Sequence, residues 1–114
     1  MDGHSADDID IINAGGITGT RMIADLAALY RIPVCCHNVK GYLLNMASQQ
    51  FSAAVFNCPL MECRGDADKP KDAASNPPVI ENGMMKVSKL PGLGAFLDHD
   101  FLKATRVEDE PWWG

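Results

Sequence analysis

The chain has 114 residues, 46% of them hydrophobic and 22% charged, a balance ordinary for a single globular unit. Its formal charge of -5, with no basic stripe and no interleaved aromatic ladder, argues against a nucleic-acid groove. The start Met1-Asp2-Gly3-His4-Ser5-Ala6-Asp7-Asp8 is polar and acidic, which excludes a cationic segment followed by an apolar leader core. No apolar run approaches about 18 residues, so no membrane span is expected and the cytoplasm is the default compartment.

In chain order, residues 8–13 form the first strand candidate. Ala14-Gly15-Gly16-Ile17-Thr18-Gly19 is a glycine turn, with Thr18 or Thr20 available to cap the helix that follows across residues 21–31. Met22, Ile23, Leu26, Ala27 and Tyr30 recur at helical spacing and are expected to be a core-facing stripe. Then Ile32-Pro33-Val34-Cys35-Cys36-His37-Asn38 runs through apolar or small residues and ends on an imidazole and an amide. A buried parallel strand that finishes on a polar side chain is where α/β proteins place their chemistry. The whole segment therefore reads as a βαβ unit with His37 at the carboxyl end of its second strand.

A second helix is expected over residues 43–56, with Met46, Ala47, Gln50, Phe51 and Ala54 on one side, and a third strand over residues 58–63. Residues 64–78 turn polar and contain Pro70, Pro77 and Pro78, the mark of a loop or linker. Asn82-Gly83 between short extended runs signals a hairpin. Residues 90–94 form a further turn and residues 97–105 a brief terminal helix. Trp112 and Trp113 read as tail packing, while His4 and His99 read as surface residues.

Cys35, Cys36, Cys58, Cys63 and His37 are numerous enough for a zinc site, but their spacing is wrong. Adjacent strand residues face opposite ways, and no C-x2-C knuckle occurs. Small buried thiols packing between strands are the simpler reading, and a bond between neighbouring Cys35 and Cys36 is disfavoured still more.

The order of the blocks resembles one family. GGITG (15–19), IPVxxHN (32–38), the strand of Asn57, Pro59, Leu60 and Glu62, then ENG (81–83) and LPGLG (90–94), are similar to the C-terminal third of an enolase-superfamily protein of the mandelate racemase and muconate lactonizing type. The resemblance runs from about residue 8 to residue 102. It implies an α/β fold, a partial (β/α) barrel made of the last three parallel strands with their helices, plus a loop-rich tail. A whole barrel needs roughly 250 residues. Residues 1–63 would thus be the end of the barrel, and residues 64–114 a linker and tail that pack on a capping domain. On this reading the chain is a fragment, with open sheet edges that invite pairing with another chain or a second copy.

The resemblance also implies a chemistry: loss of the proton α to a carboxylate, with Mg2+ stabilising the enediolate, in an acid-sugar dehydratase or racemase. His37 holds the position of the general base, to which imidazole is suited because its ordinary pKa lies near working pH. Asp10, five residues before Gly15, holds that of the aspartate paired with the base, although a shifted register would bring Asp8 there instead. Glu62 holds that of an acid that hydrogen-bonds the enediolate, a role that burial in a barrel mouth would favour. The magnesium ligands and a catalytic Lys belong to strands this chain does not contain, so the chain alone should be catalytically silent. Two rivals stand beside this: a non-catalytic module acting through a protein partner, and a phosphate site on the amides of residues 15–20.

Overall fold

A computed structural model of the chain describes residues 7–63 and 73–111. Their elements run β1 (Asp7–Ile9), α1 (Gly16–Leu29), β2 (Val34–Cys36), α2 (Tyr42–Ala54), β3 (Leu60–Met61), β4 (Ile80–Glu81), β5 (Met84–Met85) and α3 (His99–Thr105). The first three strands form one parallel sheet in the order β1-β2-β3, with Ile9 beside Cys36 and Cys36 beside Met61. This is the strand–helix–strand arc expected from the sequence. All three strands are short, Asp7–Ile9, Val34–Cys36 and Leu60–Met61, and end before the residues 13, 37 and 63 expected from the sequence.

That turn is steep at the start of α1. Gly15 and Gly16 both have positive φ, 84° and 77°, a region where a β-carbon is strained. A β-carbon at Gly19 would collide with the carbonyl oxygen of Ala14. The helix accordingly begins at Gly16, five residues before the expected start, and neither threonine caps it. Gly15 is the N-cap without a side-chain bond, and Thr20 lies inside the helix, where its hydroxyl donates to Gly16 O at 2.8 Å. A glycine turn that already satisfies the geometry leaves no job for a hydroxyl cap.

The apolar stripe of α1 does not face the core. Thr20 and Ala24 are its buried residues, with Ala27 partly buried beside the core, whereas Met22 is 70% exposed, Leu26 58% and Tyr30 71%. Small side chains let the helix axis lie close to the sheet, and the larger ones are left on the outer face. α2 behaves otherwise: Leu44, Asn45, Met46, Ala47, Ser48, Gln49 and Phe51 are all buried, while Gln50 is only partly covered and Ala54 is exposed. The core joins Ile9, Ile11, Ala24, Val34, Cys36, Leu44, Phe51 and Cys58 across the sheet. Asn57 fastens its lower end, donating to Ala24 O at 2.9 Å and Ile32 O at 3.3 Å.

Residues 64–72 of the expected linker, with His4, Trp112 and Trp113, lie outside the described residues. The hairpin forms as read: β4 and β5 pair antiparallel about Asn82 and Gly83, both with positive φ. Residues 73–76 bond to residues 94–98, through Ser75 N to Phe96 O at 2.8 Å and Phe96 N to Asn76 Oδ1 at 2.7 Å. Gln49 ties the tail to α2, donating to Lys86 O at 2.8 Å and accepting from Ser88 N at 2.9 Å. α3 starts two residues later than expected because Asp98 is its cap, accepting from Phe101 N at 2.9 Å. His99, its first residue, is exposed.

Candidate functional site

Parallel pairing brings the carboxyl ends of β1, β2 and β3 side by side, and the residue just past each end is polar. The backbone fixes their spacing: His37 N donates to Ile9 O at 2.9 Å, and Glu62 N donates to Cys36 O at 2.9 Å. Asp10, His37 and Glu62 therefore meet at one end of the sheet. His37 Nδ1 lies 3.5 Å from Asp10 Oδ2, and His37 Nε2 lies 3.7 Å from Glu62 Oε2. These separations are a few tenths of an ångström wider than a closed hydrogen bond, and pairs of this kind commonly tighten only around a ligand. Asp8 pairs with Cys35 inside the sheet, so the shifted register does not occur.

Asp10 is held on all sides. One carboxylate oxygen accepts from Ile12 N at 2.8 Å and Asn13 N at 3.3 Å, and the other accepts from Asn13 Nδ2 at 2.9 Å. Lys40 Nζ stands 3.8 Å from Oδ2. Burial acts to raise its pKa, but the amides of Asn13 and Ile12, the Lys40 charge and His37 outweigh it, so the carboxyl sits below its ordinary value of 3.8. It is a fixed anion facing one nitrogen of the imidazole.

Glu62 is positioned through Asn38, whose side chain is 0% exposed. The Asn38 amide nitrogens reach Glu62 twice, the backbone N–H to Oε2 at 3.2 Å and Nδ2 to the backbone O at 2.8 Å. Asn38 Oδ1 in turn accepts from Ser48 Oγ of α2 at 2.7 Å. The expected burial of Glu62 itself is not met: its side chain is 48% exposed, because on its far side no further strand covers it among the described residues. Sequence reading missed Lys40, Asn38 and Ser48 as members of this cluster. Only Asn38 carried a signal, as the amide that ends the strand motif.

A magnesium ion does not fit these residues alone. Both oxygens of Asp10 are taken up by local donors, and among the described residues no three His, Cys, Asp or Glu side chains converge as a metal requires. The phosphate reading gains nothing either, since the nearby Arg21 is bonded to Asp25 at 2.8 Å. No helix among the described residues is long and apolar enough to cross a membrane.

A parallel α/β sheet that carries an imidazole between two carboxyls at its strand ends is a candidate acid–base site, at the end of the sheet where barrel folds place their chemistry. The enolase C-terminal domain-like family model matches residues 6–101. The chain belongs to that family, within the enolase superfamily. It is 40% identical over 102 residues to the D-xylonate dehydratase of Haloferax volcanii, covering 89% of this chain and 25% of that protein. An enolase of the mandelate racemase subgroup from Agrobacterium tumefaciens superposes with TM-score 0.75 at 30% identity, over 88% of this chain and 28% of that one. A structure from Burkholderia xenovorans strain LB400, assigned as an L-alanine-DL-glutamate epimerase and bound to magnesium and fumarate, superposes with TM-score 0.71 at 30% identity, over 78% and 22%. The chain thus spans about a quarter of the length of the curated relatives it matches.

Proposed function

We propose that this chain supplies the acid–base strand ends of an acid-sugar dehydratase, which removes the proton α to a carboxylate and then expels a β-hydroxide. The observation that carries the reading is His37 lying between two carboxyl groups, one on each ring nitrogen. Asp10, as an anion, accepts the Nδ1 proton and so fixes the tautomer, leaving the Nε2 lone pair as the base. That nitrogen opens toward Glu62 and solvent, where a substrate's α carbon would lie. Glu62, when protonated, hydrogen-bonds the oxygen on which charge develops, and Asn38 with Ser48 holds it there. Magnesium ligands and the rest of the barrel would come from strands outside this chain, and no step above runs through them. Dehydration is preferred over racemisation because D-xylonate and D-mannonate dehydratases stand among the relatives.

The test is a chimera in which residues 6–101 replace the matching quarter of the Haloferax volcanii enzyme. Turnover of D-xylonate that falls by about 10²–10⁴ in the His37→Asn form supports the base. Undiminished turnover in that form sinks the assignment. The chain by itself, with magnesium and sugar acids in deuterated buffer, should place no deuterium at the α carbon.

A second reading, a non-catalytic module working through a protein partner, draws on the exposed apolar face of α1. A chain that stays monomeric in sedimentation runs at high concentration would count against it.

A further inference from the structure

Beneath the acid–base cluster lies a group that the proposed chemistry does not use. Cys36, the last residue of β2, and Cys58, just before β3, turn their thiols toward each other inside the core, with Sγ 4.0 Å from Sγ. Both residues are buried. Ser52 of α2 stands between them, its Oγ 3.5 Å from the Cys36 sulfur and 3.2 Å from the Cys58 sulfur, and the Cys58 thiol also reaches Leu60 O at 3.3 Å. The other two cysteines take no part: Cys35 projects from the opposite side of the strand, and Cys63 accepts from Asn45 at 3.4 Å.

We infer that Cys36 and Cys58 are a peroxide-responsive thiol pair, which closes to a disulfide linking β2 to the head of β3. Three features bear on this. The sulfurs are already near neighbours, so bond formation at about 2.05 Å requires the two side chains to share roughly 2 Å of approach. The pair is asymmetric: hydrogen bonding from Cys36 and Ser52 lowers the pKa of Cys58 against the opposing effect of burial, while Cys58 and burial raise that of Cys36. The Ser52 hydroxyl lies nearer to the Cys58 sulfur, at 3.2 Å, than to that of Cys36, at 3.5 Å, and can donate to a thiolate there, which assigns Cys58 as the attacking sulfur and Cys36 as the resolving one. Finally, the pair lies behind Ser52 and Pro59, which line a cavity of about 380 Å³ between α2, β3 and the hairpin, a cavity whose wall carries Cys63 but neither thiol of the pair.

The chemistry balances with hydrogen peroxide as oxidant. The Cys58 thiolate attacks one peroxide oxygen, the O–O bond breaks, and the departing hydroxide takes up a proton to leave as water. Cys36 sulfur then attacks the resulting sulfenic acid, the S–O bond breaks, and a second water leaves with the Cys36 proton. Two thiols are oxidised by two electrons and one peroxide is reduced to two waters. Cys36 directly precedes His37, and its carbonyl holds the Glu62 amide, so the link would tie down the strand pair that carries two of the three site residues.

The experiment treats the reduced full chain with hydrogen peroxide, counts thiols in denaturant, and maps the product by tandem mass spectrometry under non-reducing conditions. Thiols should fall from four to two, with an intramolecular link whose fragment ions place it on Cys36 rather than Cys35. Cys36→Ser and Cys58→Ser should each abolish the link, and Cys35→Ser and Cys63→Ser should keep it. The wild-type map stands whether or not a variant folds. Four remaining thiols, a link between two chains, a link through Cys35 or Cys63, or sulfinic acid on Cys58 without a link would each overturn the inference.

Discussion

The two long helices are near equals in length and both carry a strong apolar stripe, yet α1 leaves its large side chains in solvent while α2 buries seven of its 13 residues. The difference lies in what each is packed between. α2 is covered by the sheet on one side and by the tail on the other, where Gln49 and Gln50 bond to Lys86 and Ser88. α1 meets the core and the flank of α2 through small residues, Thr20 and Ala24 among them, and among the described residues nothing covers its outer face. An apolar pattern therefore tells which residues could be buried, and the neighbours decide which are. The polar residues of α2 make the same point, since Ser48 and Asn45 are buried while Leu26 is not.

Four substitutions test that contrast by urea unfolding. Phe51→Ala, in the core under α2, should destabilise the chain most, by about 3–5 kcal/mol. A loss near zero would mean that α2 is no better anchored than α1. Next comes Ser48→Ala, which strips the buried Asn38 Oδ1 of its partner and should cost about 1–3 kcal/mol. Ala24→Leu, at a fully buried point of α1, should cost a similar 1–3 kcal/mol by overpacking, and tolerance there would show that α1 is loosely seated. Leu26→Gln, on the outer face, should change stability by no more than about 0.5 kcal/mol. A large loss would reveal a second chain covering that face.

A pH series adds a site-specific reading. Asp10 has a folded pKa below its unfolded one, so its contribution to stability is present above 3.8 and is lost as pH falls through the lower, folded value. In that acid window the folded chain binds fewer protons than the unfolded chain, and stability rises with pH. Asp10→Asn should flatten this part of the curve, and an unchanged slope would show that the anion is not held as the geometry requires.

Much of this was legible in advance because parallel strands and glycine turns leave local marks. The abrupt polar ending of 32–38 located His37, and the motif order located Asp10 and Glu62 on neighbouring strand ends. What stayed hidden was long-range. Nothing in the spacing of Asn38 and Ser48 says that a helix will lay one over the other, and nothing near Lys40 says that it turns back to Asp10. The facing of α1 was misread for the same reason: helical periodicity gives a stripe but not its direction, and three small residues at 20, 24 and 27 were the better guide. The early start of α1 was missed because glycines were read as ending a turn, when they also begin the helix.

The two rungs at His37 N to Ile9 O and Glu62 N to Cys36 O bear on time as well as on distance. Asp10 lies one residue beyond the Ile9 carbonyl of the first rung, and the amides of His37 and Glu62 are themselves the donors of the two rungs, so the cluster exists only while both rungs are shut. Strand ends fray fastest where the ladder is shortest, and β3 has just two residues. Glu62 is thus the member that departs first, and the lifetime of the assembled cluster is the time a two-residue strand stays shut. Amide exchange at Glu62 should run ahead of that at His37, and equal rates would show that the two rungs open together.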